Sequence, residues 1–93
     1  MIRAFVLYDG EPDPQLYAEH VELCRRVPGV TFRHGRVFAA PRGEPEHRYY
    51  AEFEWPDMEA FKAAARSPEF METGRHGATL GVPFSVEFAE VAD

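Results

Sequence analysis

The chain has 93 residues, 14 % of them aromatic, and a net charge of −6. One domain of residues 1–93 is expected, with a core small enough that eight Phe, four Tyr and one Trp imply dense packing or sharing with a second copy. The acidic balance removes the basic footprint that nucleic-acid binding needs. No apolar run approaches the roughly 20 residues that span a bilayer, and no leader resembling a signal peptide precedes the first strand. A soluble cytoplasmic protein is therefore expected, with no nucleic-acid or membrane partner. The lone Cys24 excludes an internal disulfide.

Ile2 to Tyr8 is nearly all apolar and reads as a central strand covered on both faces. Asp9-Gly10-Glu11-Pro12 is a turn. Asp13 suits an N-cap and Pro14 the first helical position. Leu16, Tyr17, His20, Val21, Cys24 and Val27 then recur at helical spacing, and Pro28-Gly29 ends that helix. Thr31 to Ala39 reads as a second strand, with Phe32, His34, Arg36 and Phe38 on one face. Residues 41–46 form a loop. His47 to Trp55 alternates cleanly, and Tyr49, Ala51, Phe53 and Trp55 are expected to meet the helices.

Pro56 breaks that strand, and Asp57 caps a helix whose buried stripe is Met58, Phe61, Ala64 and Ala65. Ser67-Pro68-Glu69 starts another short helix, which Gly74 is expected to stop. Arg75 to Val82 reads as a glycine-punctuated segment. Phe84 to Val91 is the last strand, with Phe84, Val86 and Phe88 on one face.

The order β-α-β-β-α-(α)-β predicts an α+β, ferredoxin-like split βαβ fold: an antiparallel four-stranded sheet with its helices on one face. The helix-free face should then carry aromatics such as Phe32, Phe38 and Tyr50, or their alternation partners. Pairing two such faces across a two-fold axis would cover them.

These segments resemble the EthD-like proteins of the dimeric α+β barrel superfamily. The resemblance rests on the hydrophobic first strand, on His20-Val21-x-Leu23 running to Pro28-Gly29, and on His47-Arg48-Tyr49-Tyr50. Trp55-x-x-Met58-Glu59-Ala60-Phe61-x-x-Ala64 followed by Ser67-Pro68-Glu69 completes it. It implies a homodimer whose sheets close a barrel, with pockets between each sheet and its helices. Superfamily members include cofactor-free monooxygenases, isomerases, polyketide cyclases and haem enzymes, so the resemblance does not select a reaction.

His20 lies on the inward stripe, one turn from Tyr17 and Cys24. It is either a core histidine bonded to a neighbour or a general base in a helix–sheet pocket. Tyr49 is either a core residue with a satisfied hydroxyl or a group bordering the helix-side cavity. His76 is a solvent-exposed side chain or part of a mobile lid. With Phe53 and Phe61, these residues make up the candidate site. Cys24 reads as a buried inert thiol. His34 and Arg36 read as surface or dimer-contact residues. Glu52 and Glu54 read as partners for Arg33, Arg36 or Arg48 across a dimer.

There is no phosphate loop, no nucleophile elbow and no paired metal-ligand spacing, so no metal or other cofactor is expected. Nothing specifically favours haem ligation by His20 or His76. The expected function is binding, or cofactor-independent oxygenase, isomerase or cyclase chemistry, on a small aromatic or apolar molecule. The alternative is a non-catalytic accessory or structural homodimer.

Overall fold

Asp13 folds its carboxylate back onto Gln15 N and Leu16 N at 3.0 and 3.1 Å, so the first helix starts where the Asp-Pro pair directs it. The structure, a computed structural model, describes residues 1–92. Its elements are β1 (Ile2–Tyr8), α1 (Pro14–Arg25), β2 (Thr31–Arg36), β3 (Tyr49–Trp55), α2 (Met58–Ala65), α3 (Pro68–Gly77) and β4 (Phe84–Glu90). The sheet order is β2-β3-β1-β4, and every neighbouring pair is antiparallel. This is the ferredoxin-like arrangement expected from the element order.

Register fixes the two faces. Ile2, Ala4, Val6 and Tyr8 of β1 pair with Trp55, Phe53, Ala51 and Tyr49 of β3, and all but the half-buried Tyr49 are buried. Cys24 and Val27, with Ala64 and Leu80, close the core from the other side. Trp55 is its anchor. The indole lies parallel to Phe53 at 6.0 Å, takes the edge of Phe61 at 5.2 Å, and donates from Nε1 to the Pro28 carbonyl at 3.2 Å. That last bond ties the end of α1, where Gly29 turns at φ 67°, to the sheet. Full burial of a side chain this large contributes about 3 kcal/mol.

The second strand stops at Arg36 rather than Ala39, and the third starts at Tyr49 rather than His47. Val37 N still donates to Arg48 O, and Arg48 N to Tyr8 O, but the chain then loops away and leaves Phe38 95 % exposed. Phe32 does not join the helix-free face. It pairs with Phe53 in register and meets that ring at 4.9 Å on the helix side, as His34 lies opposite Ala51.

The helix-free face instead carries Phe5 and Tyr50 with an ion-pair network. Arg3 grips Glu54 and approaches Glu52 at 3.4 Å, while Arg33 reaches Glu54 at 3.2 Å. The Arg3 guanidinium, with Arg33 behind it, holds the Glu54 carboxyl below the usual carboxylate range. Tyr50 lies across Gly35, where a Cβ would sit 2.6 Å from its ring. Arg36 and Arg48 pair elsewhere, with Glu11 and Glu44.

Gly74 does not stop the last helix, which continues to Gly77. Glycine in a helix costs only about 1 kcal/mol relative to alanine, and the contacts made beyond it outweigh that: Thr73 and Gly77 are buried, and His76 meets His20. The following turn is also anchored, because Leu80 N bonds to Gly77 O and its side chain enters the core. The segment read as a flexible glycine-rich lid is therefore helix followed by a pinned turn.

Candidate functional site

His20 is 6 % exposed, and its stripe on α1 turns it toward α3 rather than into a closed core. Its Nδ1 lies 3.1 Å from Nδ1 of His76, and the two rings stack at 5.2 Å and 16°. His76 is thus not a free surface side chain but one packed against His20. Its other nitrogen, Nε2, faces the Glu19 carboxylate at 3.7 Å, a charge contact too long for a hydrogen bond. Burial, with His76 adding to it, pushes His20 down to about 4, so the imidazole is neutral at physiological pH.

One tautomer pair fits this chain of contacts with the His76 proton turned toward Glu19. The Glu19 carboxylate favours the His76 proton on Nε2. His76 Nδ1 then accepts, His20 Nδ1 donates, and His20 Nε2 is left as a bare lone pair. His20 Nε2 makes no hydrogen bond of its own. Among the described residues no fully enclosed side-chain nitrogen or oxygen lacks a partner. His20 Nε2 is therefore not fully enclosed, and a cavity of about 90 Å³ lies beside this ring.

That cavity lies between the sheet and α3. Ala4, Val6 and Tyr8 of β1 and Phe53 of β3 form its floor. Phe70, Thr73, Gly74 and Gly77 of α3 form its roof, and Phe84 and Val86 of β4 line its open side. Its wall contains no charged side chain. The Thr73 hydroxyl is already committed to the Phe70 carbonyl at 2.6 Å. Tyr8 also lines the cavity, and its hydroxyl makes no hydrogen bond among the described residues. Burial raises the Tyr8 hydroxyl well above its ordinary value, so it stays a donor. His20 and Tyr8 thus bring polar groups to an otherwise apolar pocket wall, the usual anatomy of a small-molecule site.

The structure brings His20, His76 and Phe53 together and places the other sequence candidates apart. Tyr17 and Tyr49 pack edge to face at 5.2 Å near the start of α1, where the Tyr17 hydroxyl meets His34 Nδ1 at 3.2 Å. That contact makes His34 a helix-side residue. Burial raises Tyr17 to about 12 and lowers His34. Phe61 lies between Trp55 and Phe88, outside the cavity wall. Cys24 is 1 % exposed, and burial pushes its thiol up to about 12. Among the described residues no three His, Cys, Asp or Glu side chains converge as a metal site would require, and no helix is long and apolar enough to cross a membrane.

Sequence reasoning missed Tyr8, Glu19 and Thr73. Tyr8 was hidden at the end of an apolar run, and its hydroxyl was the only signal. The i,i+3 spacing of Gly74 and Gly77 could have marked one bare helix face, had the helix been carried past Gly74. A wider groove of about 280 Å³ between α1 and α3 is open, is flanked by Arg26, Glu69, Glu72 and Arg75, and contains none of these groups.

No family model matches the chain, and no curated protein matches it in sequence. Solved structures match its fold over almost its full length. An ethyl tert-butyl ether D (EthD) family protein from Bacillus halodurans C-125 superposes with a TM-score of 0.80 at 24 % identity, covering 99 % of both chains. A dimeric ferredoxin-like protein of unknown function from Jannaschia sp. CCS1 gives 0.74 at 20 % identity, over 97 % of this chain and 98 % of that one. SnoaB, a cofactor-independent oxygenase from Streptomyces nogalater, gives 0.65 at 18 % identity, over 99 % and 93 %. The EthD-like resemblance read in the sequence thus holds in the fold, which these proteins share.

Proposed function

We propose that the protein is a homodimer that binds a small, largely apolar molecule in the His20 cavity and uses His20 as the general base of a cofactor-independent reaction. What supports this reading is a neutral His20 in the wall of an otherwise apolar cavity, with Nε2 committed to no hydrogen bond among the described residues. Its partner His76 fixes the ring, so the lone pair is aimed before a ligand arrives.

The strength of the base limits the substrate. A phenolic or enolic proton with a pKa of about 10 lies about 6 pKa units above a base at about 4. Its transfer is uphill by about 8 kcal/mol. That fits inside the barriers of about 13–17 kcal/mol that accompany turnover at roughly 1–10³ per second. A proton more than about 12 units above His20 would consume the whole barrier before any further step. The reading therefore favours an uncharged substrate with an acidic O–H or C–H, such as a phenol or enol. His20 Nε2 takes the proton and the Tyr8 hydroxyl donates to the oxygen left negative. Oxygenation, isomerisation or ring closure of the resulting anion is the reaction class. The description of SnoaB as a cofactor-independent oxygenase supports the first of these.

Dimerisation through the helix-free face accounts for Phe5 and Tyr50, which the monomer leaves partly exposed among ion pairs. The description of the Jannaschia protein as dimeric supports it. The test is native mass spectrometry of the purified protein, followed by turnover assays on any phenolic or enolic molecule retained. Turnover lost in His20→Gln with the dimer intact supports the assignment. Retained binding with no turnover in the wild type would make this a binding protein.

A further inference from the structure

The cavity, about 90 Å³, is smaller than the ~150 Å³ engineered cavity that admits benzene. A ring held against His20 must therefore extend through the open side. That side is not polar. Phe84 and Val86 line it while remaining 38 % and 45 % exposed, and Phe88 continues the same row of β4 at 54 % exposed. Opposite them on α3 stands Gly74. Its φ is not positive, and a Cβ there would meet nothing within 4 Å. Neither backbone geometry nor packing requires glycine at this exposed interior position of a helix, where alanine would be favoured. Gly77 is different: a Cβ there would press on Phe84 Cζ at 3.3 Å and His20 Cε1 at 3.5 Å, so packing explains it. Gly74 leaves the mouth between α3 and β4 unobstructed, and an apolar track leads away from it.

Resting on the reading of the His20 cavity as a ligand site, we propose that its ligand is elongated. An uncharged, hydroxyl-bearing head sits at His20 and Tyr8. An apolar tail leaves past Gly74 and lies along Phe84, Val86 and Phe88. The occupant of the exposed β4 row is thus the far end of the same molecule, because Phe84 and Val86 belong to both the cavity wall and the row. The uncharged wall sets the head: a carboxylate or ammonium group would be desolvated there with no counter-charge.

The test is a titration of the full chain with phenol, 4-propylphenol and 4-hexylphenol, followed by calorimetry and by the imidazole ¹⁵N signals of His20. Affinity should rise about fourfold per methylene that reaches the row. It should fall at least tenfold when 4-hexylbenzoate replaces 4-hexylphenol. Phe88→Ser, on the row but outside the cavity wall, should flatten the gain with tail length while leaving phenol binding unchanged. Gly74→Leu, which puts a side chain across the mouth, should weaken 4-hexylphenol more than phenol. Gly74→Ala should raise the melting temperature by about 4–8 °C, showing that glycine there is not needed for folding. Phenol binding at His20 with no dependence on tail length would overturn the elongated ligand and leave the cavity reading intact. Failure of all three phenols to move the His20 signals would overturn both. A tail effect that survives Phe88→Ser unchanged would place the tail elsewhere and refute the track.

Discussion

Acidification should unlatch this fold through His20 in particular. The imidazole titrates near 4 in the folded protein, because it is buried beside His76, and near 6.5 when unfolded. The folded state therefore disfavours the proton. The stabilisation is fully present above about pH 6.5 and is lost as pH falls toward 4. The full gap of about 2.5 pKa units corresponds to about 3 kcal/mol. Between pH 7 and pH 5 about 2 kcal/mol of it is lost. For a domain of this size that lowers the melting temperature by on the order of 10 °C. Thermal melts followed by circular dichroism at pH 7, 6 and 5 measure it. His20→Gln keeps a hydrogen-bonding group for His76 but cannot titrate, so the variant should lose most of that pH slope. The difference between wild type and variant isolates His20 from His34, His47 and His76. Parallel slopes in the two proteins would refute the assignment of a buried, neutral imidazole at position 20.

Gly35→Ala should destabilise the protein by about 1–3 kcal/mol in urea, because its Cβ would sit 2.6 Å from the Tyr50 ring; an unchanged midpoint would show that the ring moves freely. Tyr50→Glu should convert the dimer to monomer in sedimentation equilibrium at micromolar concentration, since the helix-free interface should bury about 2,000 Å² or more in total; a wild type that is already monomeric would contradict that interface. Cys24, buried and with its thiol at about 12, should react with a disulfide reagent at neutral pH only at the rate of unfolding; immediate stoichiometric labelling would contradict its burial.

The parts of the fold carried by strong contrast were legible in the sequence. On β3 the large apolar side chains alternate with Glu52 and Glu54, so the face that meets the helices could be named. The Asp-Pro and Ser-Pro pairs located two helix starts for a local reason, the capping bond each makes. β2 lacked that contrast. Phe32, Arg33, His34 and Arg36 give neither face a clear apolar majority, and only pairing with β3 puts Phe32 on the helix side. The turn at Gly74 was misread because local propensity disfavours glycine in a helix, whereas the His20–His76 contact and the burial of Thr73 and Gly77 carry the helix onward. The site was half legible. Helical spacing aimed His20 inward, but its partner lies 56 residues away in sequence. That β4 is left uncovered beside the cavity depends on where the helices lie over the sheet, which no periodicity reports.

The central claim is that His20 Nε2 is an uncommitted, neutral base facing the cavity. The imidazole ¹⁵N spectrum of the protein, recorded at pH 7 with and without 4-propylphenol, tests it most directly. The account predicts a neutral ring protonated at Nδ1 and bare at Nε2, with only the Nε2 signal moving strongly when the phenol is added. A ring protonated at Nε2, or an Nε2 signal indifferent to the phenol, would contradict it.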